Sequence, residues 1–151
     1  MALDLDGVLG DTRPLWDDWL AASSDVLEIA PTELPPDRGE AAARLDAGGA
    51  GNWRALLERY AEERVAVYLR RDAPTSDALR LLAECGRALG VFTDAPEPLA
   101  RVVLRHLGAD RLVSAVETGS GALERLIARL GDGALVARTR AELRTAVDEA
   151  L

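Results

Sequence analysis

Residues Leu3–Thr12 read LDLDGVLGDT, which puts three aspartates (Asp4, Asp6 and Asp11) into eight residues directly behind an apolar start. Aspartate is a poor strand former, so its crowding at the mouth of an apparent strand needs a reason. A tight acidic turn is one reading, with Gly7 supplying a positive φ and Asp11 or Thr12 capping the next helix. In the other, Asp4 and Asp6 lie on one side of an extended backbone and aim at one point. Two carboxylates so aimed repel, which costs free energy unless a cation or substrate sits between them.

Composition narrows the choice. The chain has 151 residues, 48% of them hydrophobic, enough for one domain with a buried core. A net charge of −8 argues against nucleic acid and anionic membrane as partners. No apolar run approaches the roughly 20 residues that span a bilayer, and no signal peptide precedes the first strand; a cytoplasmic protein is expected. The single cysteine, Cys85, excludes an internal disulfide and reads as buried filler in a helix. All 18 basic residues are arginine. Without lysine, Schiff-base chemistry and a Walker-type phosphate loop are both impossible.

Outward from the opening, short apolar runs alternate with amphipathic helices. A helix is expected from about Thr75 to Arg87, then a strand in ALGVFTD. The next helix has Pro96 near its first turn, Leu99, Val102, Val103 and Leu107 as its stripe, and Gly108 as its stop. RLVSAVE, ALERLIARL with Gly131, ALVA and TRAELRTAVDEAL complete the alternation, and Thr139 with Glu142 fits a capping box. This order predicts an α/β fold, a doubly wound, Rossmann-like parallel sheet covered on both faces. Such sheets bind ligands beyond the carboxyl ends of their strands, where Asp4, Thr93, Glu117 and the residues after Ala137 would gather. Residues 1–12 and 74–151 form the expected core, and 13–73 a small α-helical cap insertion. Two helices are expected in the insertion, one carrying Trp16 and Trp19 and one carrying Trp53, Leu57 and Tyr60, with PTELPPDRGE and DAGGAG as loops. The tryptophans are most simply packing.

With these elements in order, DLDGVLGDT, a helical insertion and GVFTD together resemble the haloacid dehalogenase-like hydrolase superfamily, over essentially the whole chain. The resemblance implies roles for matching residues. Asp4 is the nucleophile that forms an aspartyl-phosphate, Asp6 the general acid/base, and Thr93, with Asp94 beside it, holds phosphate. It also implies Mg²⁺, bound through Asp4, the main chain of Asp6 and an acid of the fourth motif. An acid at Asp6 implies phosphate rather than halide chemistry, so the expected substrate is a small phosphomonoester. These roles suit phosphoryl transfer, which needs an in-line nucleophile, a proton donor and positive charge on the equatorial oxygens.

The second half departs from the family pattern. Glu117 stands where the third motif has lysine, and Ala137-Arg138 where the fourth has Gly-Asp. Two explanations stand open. The charges have exchanged seats, Glu117 helping Asp4 and Asp6 to bind metal while Arg138 clamps phosphate. Alternatively Glu117 and Arg138 pair with each other, and the chain is a catalytically degenerate binding or interaction protein. A third, weaker option is a hydrolase built on Asp4 with Arg138 in place of the metal. Arg64, continuing the Trp53–Tyr60 stripe, is either a snorkelling side chain or a lid arginine that offsets the lost lysine. His106 reads as a helix-terminal residue complementing the dipole.

Overall fold

The computed structural model describes all residues from Met1 to Leu151. Four parallel strands form one sheet: β1 (Ala2–Asp4), β2 (Gly90–Thr93), β3 (Ala115–Thr118) and β4 (Val136–Ala137), in the order β3-β2-β1-β4. The chain steps from β1 through β2 to β3 toward one edge, and β4 then joins the other side of β1. The strand order therefore reverses at β1, the position where open α/β sheets form a ligand crevice.

Strand alternation sets what covers each face. Ala2, Phe92 and Ala115 point to one side, where helix α6 (Ala122–Leu130) seals them with Ala122 and Leu126. Leu3, Val91 and Ala137 point to the other, into a cluster of 31 buried apolar side chains. That cluster takes in α4 (Ala73–Glu84), α5 (Glu97–His106) and α7 (Arg140–Ala150). Both faces are covered. The local signals act where they stand: Gly108 has a φ of +71° just past α5, and Thr139 and Glu142 form a reciprocal capping box on α7.

Between β1 and α4 lie α1 (Arg13–Leu27), α2 (Arg38–Ala47) and α3 (Trp53–Tyr68). Their buried side chains belong to the same 31-residue cluster as the sheet, so residues 13–73 and the strands share one core. Trp16, Trp19 and Trp53 are buried and mutually packed, with ring centroids 5.2 Å and 6.1 Å apart. No helix is long and apolar enough to cross a membrane.

Three expectations are corrected. PTELPPDRGE is not all loop, because Asp37 accepts the Glu40 N–H at 2.8 Å and starts α2 at Arg38. Cys85 is exposed at the end of α4 rather than buried. Gly7 has no positive φ. It is required instead by close approach, since a Cβ there would lie 1.8 Å from the Arg138 carbonyl oxygen.

Candidate active site

Asp4 ends β1, and the backbone then winds from Leu5 to Leu9 in one π-helical turn closed by Gly10 N–H to the Leu5 carbonyl at 3.0 Å. Asp6 therefore does not continue an extended strand beside Asp4, as the opening stretch suggests. Its backbone N–H donates to Asp4 Oδ1 at 3.1 Å, and the turn swings its carboxylate toward the insertion. Both residues still line one open cavity of about 380 Å³, together with Thr93, Asp94, Arg38 and Arg138.

The Asp6 carboxylate is fully engaged. Oδ1 accepts the Thr12 N–H at 2.9 Å and the Thr12 hydroxyl at 2.6 Å. Oδ2 accepts Arg38 Nη2 at 2.7 Å and the Thr93 hydroxyl at 2.9 Å. The proton directions are over-determined, because Thr12 Oγ1 accepts from Arg38 Nη1 and Thr93 Oγ1 accepts from the Ala95 N–H. Each hydroxyl thus has only its own proton to give, and gives it to Asp6. Thr12 does not cap α1, whose first N–H is taken by Asp11 at 3.0 Å.

Arg38 is the residue that the sequence did not disclose. Its side chain is 1% exposed although it sits in the polar run PPDRGE. Beyond Asp6 and Thr12, its Nε and Nη2 bind Asp94 Oδ1 at 3.0 Å and 2.8 Å, and its backbone N–H binds Asp94 Oδ2 at 3.0 Å. Burial pushes the Asp94 carboxyl up, but the Arg38 backbone N–H and guanidinium, with Arg13 behind them, outweigh it and hold Asp94 below the usual carboxylate range. The same end of α2 is pinned to the β3–α6 loop. Asp37 accepts the Ser120 hydroxyl at 3.1 Å, and a Cβ on Gly39 would meet that oxygen at 2.3 Å. The Asp37…Glu40 spacing signals a helix start there, but nothing local marks Arg38 as buried.

Asp4 is in the opposite condition. Burial and then the charge of Asp6 push its carboxyl above the usual range, more than the Asp6 and Gly7 N–H groups and Arg138 pull it down. No cationic side chain pairs with it. Arg138 lines the same cavity, stacks over the Phe92 ring at 5.6 Å and forms no ion pair. Its backbone N–H donates to Glu142 Oε2 at 2.6 Å.

Glu117 is placed elsewhere. Its two oxygens accept Arg125 Nε at 3.1 Å and Arg129 Nη1 at 3.0 Å, contacts that hold its carboxyl low, Arg129 first. It lines a separate cavity of about 550 Å³ along the β3 edge that includes neither Asp4 nor Arg138. In the sheet register Asp4 faces Phe92 and Phe92 faces Glu117. Two strand spacings, about 10 Å, and an aromatic ring therefore separate the two acids. A Glu117–Arg138 pair does not form. Arg64 is exposed over the Tyr60 ring and does not line the cavity, whereas Arg38 does. His106 Nε2 lies 2.9 Å from the Leu69 carbonyl oxygen.

The side chains do not match the magnesium set that the family resemblance implies. No three His, Cys, Asp or Glu side chains are grouped to hold a metal ion. Arg138 stands where the resemblance implies an acid, and Glu142 is turned back onto the Arg138 and Thr139 N–H groups. No family model matches the chain, and no curated protein matches it.

Proposed function

We propose that the protein is a haloacid dehalogenase-like hydrolase of small phosphomonoesters, acting through an aspartyl-phosphate on Asp4. The observation that carries this reading is the placing of an unpaired carboxylate, Asp4, at the strand-order switch, in a cavity of about 380 Å³ shared with Asp6, Thr93 and an unpaired arginine. In the chemistry proposed, an Asp4 oxygen attacks phosphorus and the bond to the ester oxygen breaks. The leaving alkoxide takes a proton from Asp6. Water then attacks the phosphoryl group and gives its proton back to Asp6, and the bond to Asp4 breaks. The sum is ester plus water to alcohol plus phosphate.

Asp6 cannot act while four donors hold its two oxygens, because a proton on either oxygen must displace one of them. Arg38 is the donor that a phosphate can attract away, since guanidinium binds phosphate as readily as carboxylate. Substrate entry and release of Asp6 are then the same event: the freed carboxylate takes a proton from solvent and is an acid only when there is a leaving group to protonate.

The locked Asp6 also favours a second reading, a binding protein that kept the fold and lost turnover. A chromogenic phosphate ester separates the two. Turnover abolished by Asp4→Asn supports the hydrolase. No turnover across a broad panel of phosphate esters, with phosphate binding retained, supports the binding protein.

A further inference from the structure

We infer that the Arg138 guanidinium is the resident counter-charge of this site, and that the cavity takes its phosphate ester without a divalent cation. The ligand class rests on the phosphate-ester reading above; the absence of a metal requirement rests on geometry alone. In the sheet register Leu3 faces Ala137, so the next positions along the two strands are Asp4 and Arg138, both on the α6 side. Phe92 faces Asp4 from β2, on the opposite flank of β1. The Phe92 and Arg138 backbones are thus two strand spacings apart, about 10 Å. The guanidinium nevertheless lies 5.6 Å from the Phe92 ring centroid. The arginine head and the ring thus reach toward each other over β1, on the face of the sheet that carries Asp4.

The arginine is anchored through its backbone. Its N–H is tied to Glu142 and its carbonyl is packed on Gly7, while its exposed side chain rests the guanidinium over the Phe92 face. It is also the only arginine of the cavity left without a carboxylate, for Arg13 binds Asp94 and Arg38 binds both Asp6 and Asp94. With Asp37 capping α2, the charged side chains of the cavity left without an ion pair are Asp4, Glu124 on α6 and Arg138, of which Arg138 is the one cation. A dication entering here would meet the Arg138 positive charge, whereas phosphate would meet a planar donor suited to two of its oxygens. The first N–H groups of α6, which has no side-chain cap, open onto the same cavity.

Calorimetry with inorganic phosphate tests this without any need for turnover. In the wild type, phosphate should bind with the same affinity, within about twofold, in EDTA and in millimolar magnesium, and magnesium alone should give no binding heat. Arg138→Ala should weaken phosphate at least tenfold, with an unchanged circular dichroism spectrum as the folding control. Arg138→Asp should abolish phosphate binding and create a magnesium site. Wild-type phosphate binding that requires magnesium, or an Arg138→Ala protein that binds phosphate normally, overturns the inference while leaving the hydrolase reading standing. If wild-type protein binds no phosphate in either buffer, both fail. If phosphate binds without metal but no ester turns over, only the hydrolase reading falls.

Discussion

Replacing Arg38 by methionine keeps the length of the buried stem and removes the charge that joins α2 to the strand ends. Arg38 gives four side-chain hydrogen bonds to Asp6, Asp94 and Thr12 over 2.6–3.0 Å, so its loss leaves two carboxylates facing each other with one cation, Arg13, at 3.4 Å. Breaking a buried ion pair by removing one partner costs about 3–5 kcal/mol. The side chains of Asp6 and Asp94 stay 23% and 26% exposed, so water takes up part of the load and the lower end, about 3 kcal/mol, is expected. For a chain of this size that lowers Tm by roughly 6–12 °C. Urea unfolding followed by fluorescence of the buried tryptophans reads it directly. The sign with pH follows from Asp94, whose folded carboxyl lies below its ordinary value of 3.8. Its stabilisation is complete above that value and is lost as pH falls through the depressed one. The gap between wild type and Arg38→Met should therefore be full at pH 7 and close below pH 3.8. Adding Asp94→Asn to Arg38→Met should cost less than the sum of the two single changes, because the second removes a charge that the first left unpaired. A gap under about 1 kcal/mol at pH 7, or one of constant size down to pH 3, would refute the argument that Arg38 is held by its charge.

Three further outcomes follow from the same geometry. Asp4→Asn should raise Tm at neutral pH, because a carboxyl pushed up by folding stabilises only below its unfolded value of 3.8 and loses that as pH rises through the folded one; the gain should vanish in acid, and an Asn variant less stable than wild type at pH 7 counts against a frustrated Asp4. Gly7→Ala should destabilise by more than about 1 kcal/mol, although in open space without a positive φ the same change would stabilise slightly, because its Cβ meets the Arg138 carbonyl at 1.8 Å and pushes β4 from β1; a Tm within 2 °C of wild type would mean that the turn shifts freely. Glu117→Gln should change stability by no more than about 1 kcal/mol, since its partners Arg125 and Arg129 are half exposed. It should also leave phosphate affinity unaltered in calorimetry, and a tenfold change there would return Glu117 to the site.

What could be read without coordinates was what neighbours in the chain decide. The α5 stripe with Gly108 behind it, the Thr139–Glu142 capping box and the strand ending at Asp4 each depend on residues a few positions apart, and each stands where the pattern put it. The alternation of strand and helix then implied a parallel sheet with Asp4, Thr93, Glu117 and the residues after Ala137 gathered at its carboxyl end, since side-chain periodicity and short connections leave few other packings; Asp4, Thr93 and Arg138 do share a cavity there, and Glu117 does not. Partner choice among the charged residues was another matter. Arg38 meets Asp94 across 56 positions and Asp6 across 32, and a charged residue in a proline-rich polar run carries no local mark of burial. Glu117, by contrast, is drawn aside by arginines one and two turns into α6, closer along the chain than Arg138. Local hydrogen bonding and hydropathy decide elements; which carboxylate holds which guanidinium is decided only when the strand ends and the insertion are brought together, because charge pairing falls off over a few ångströms and has no period along the sequence.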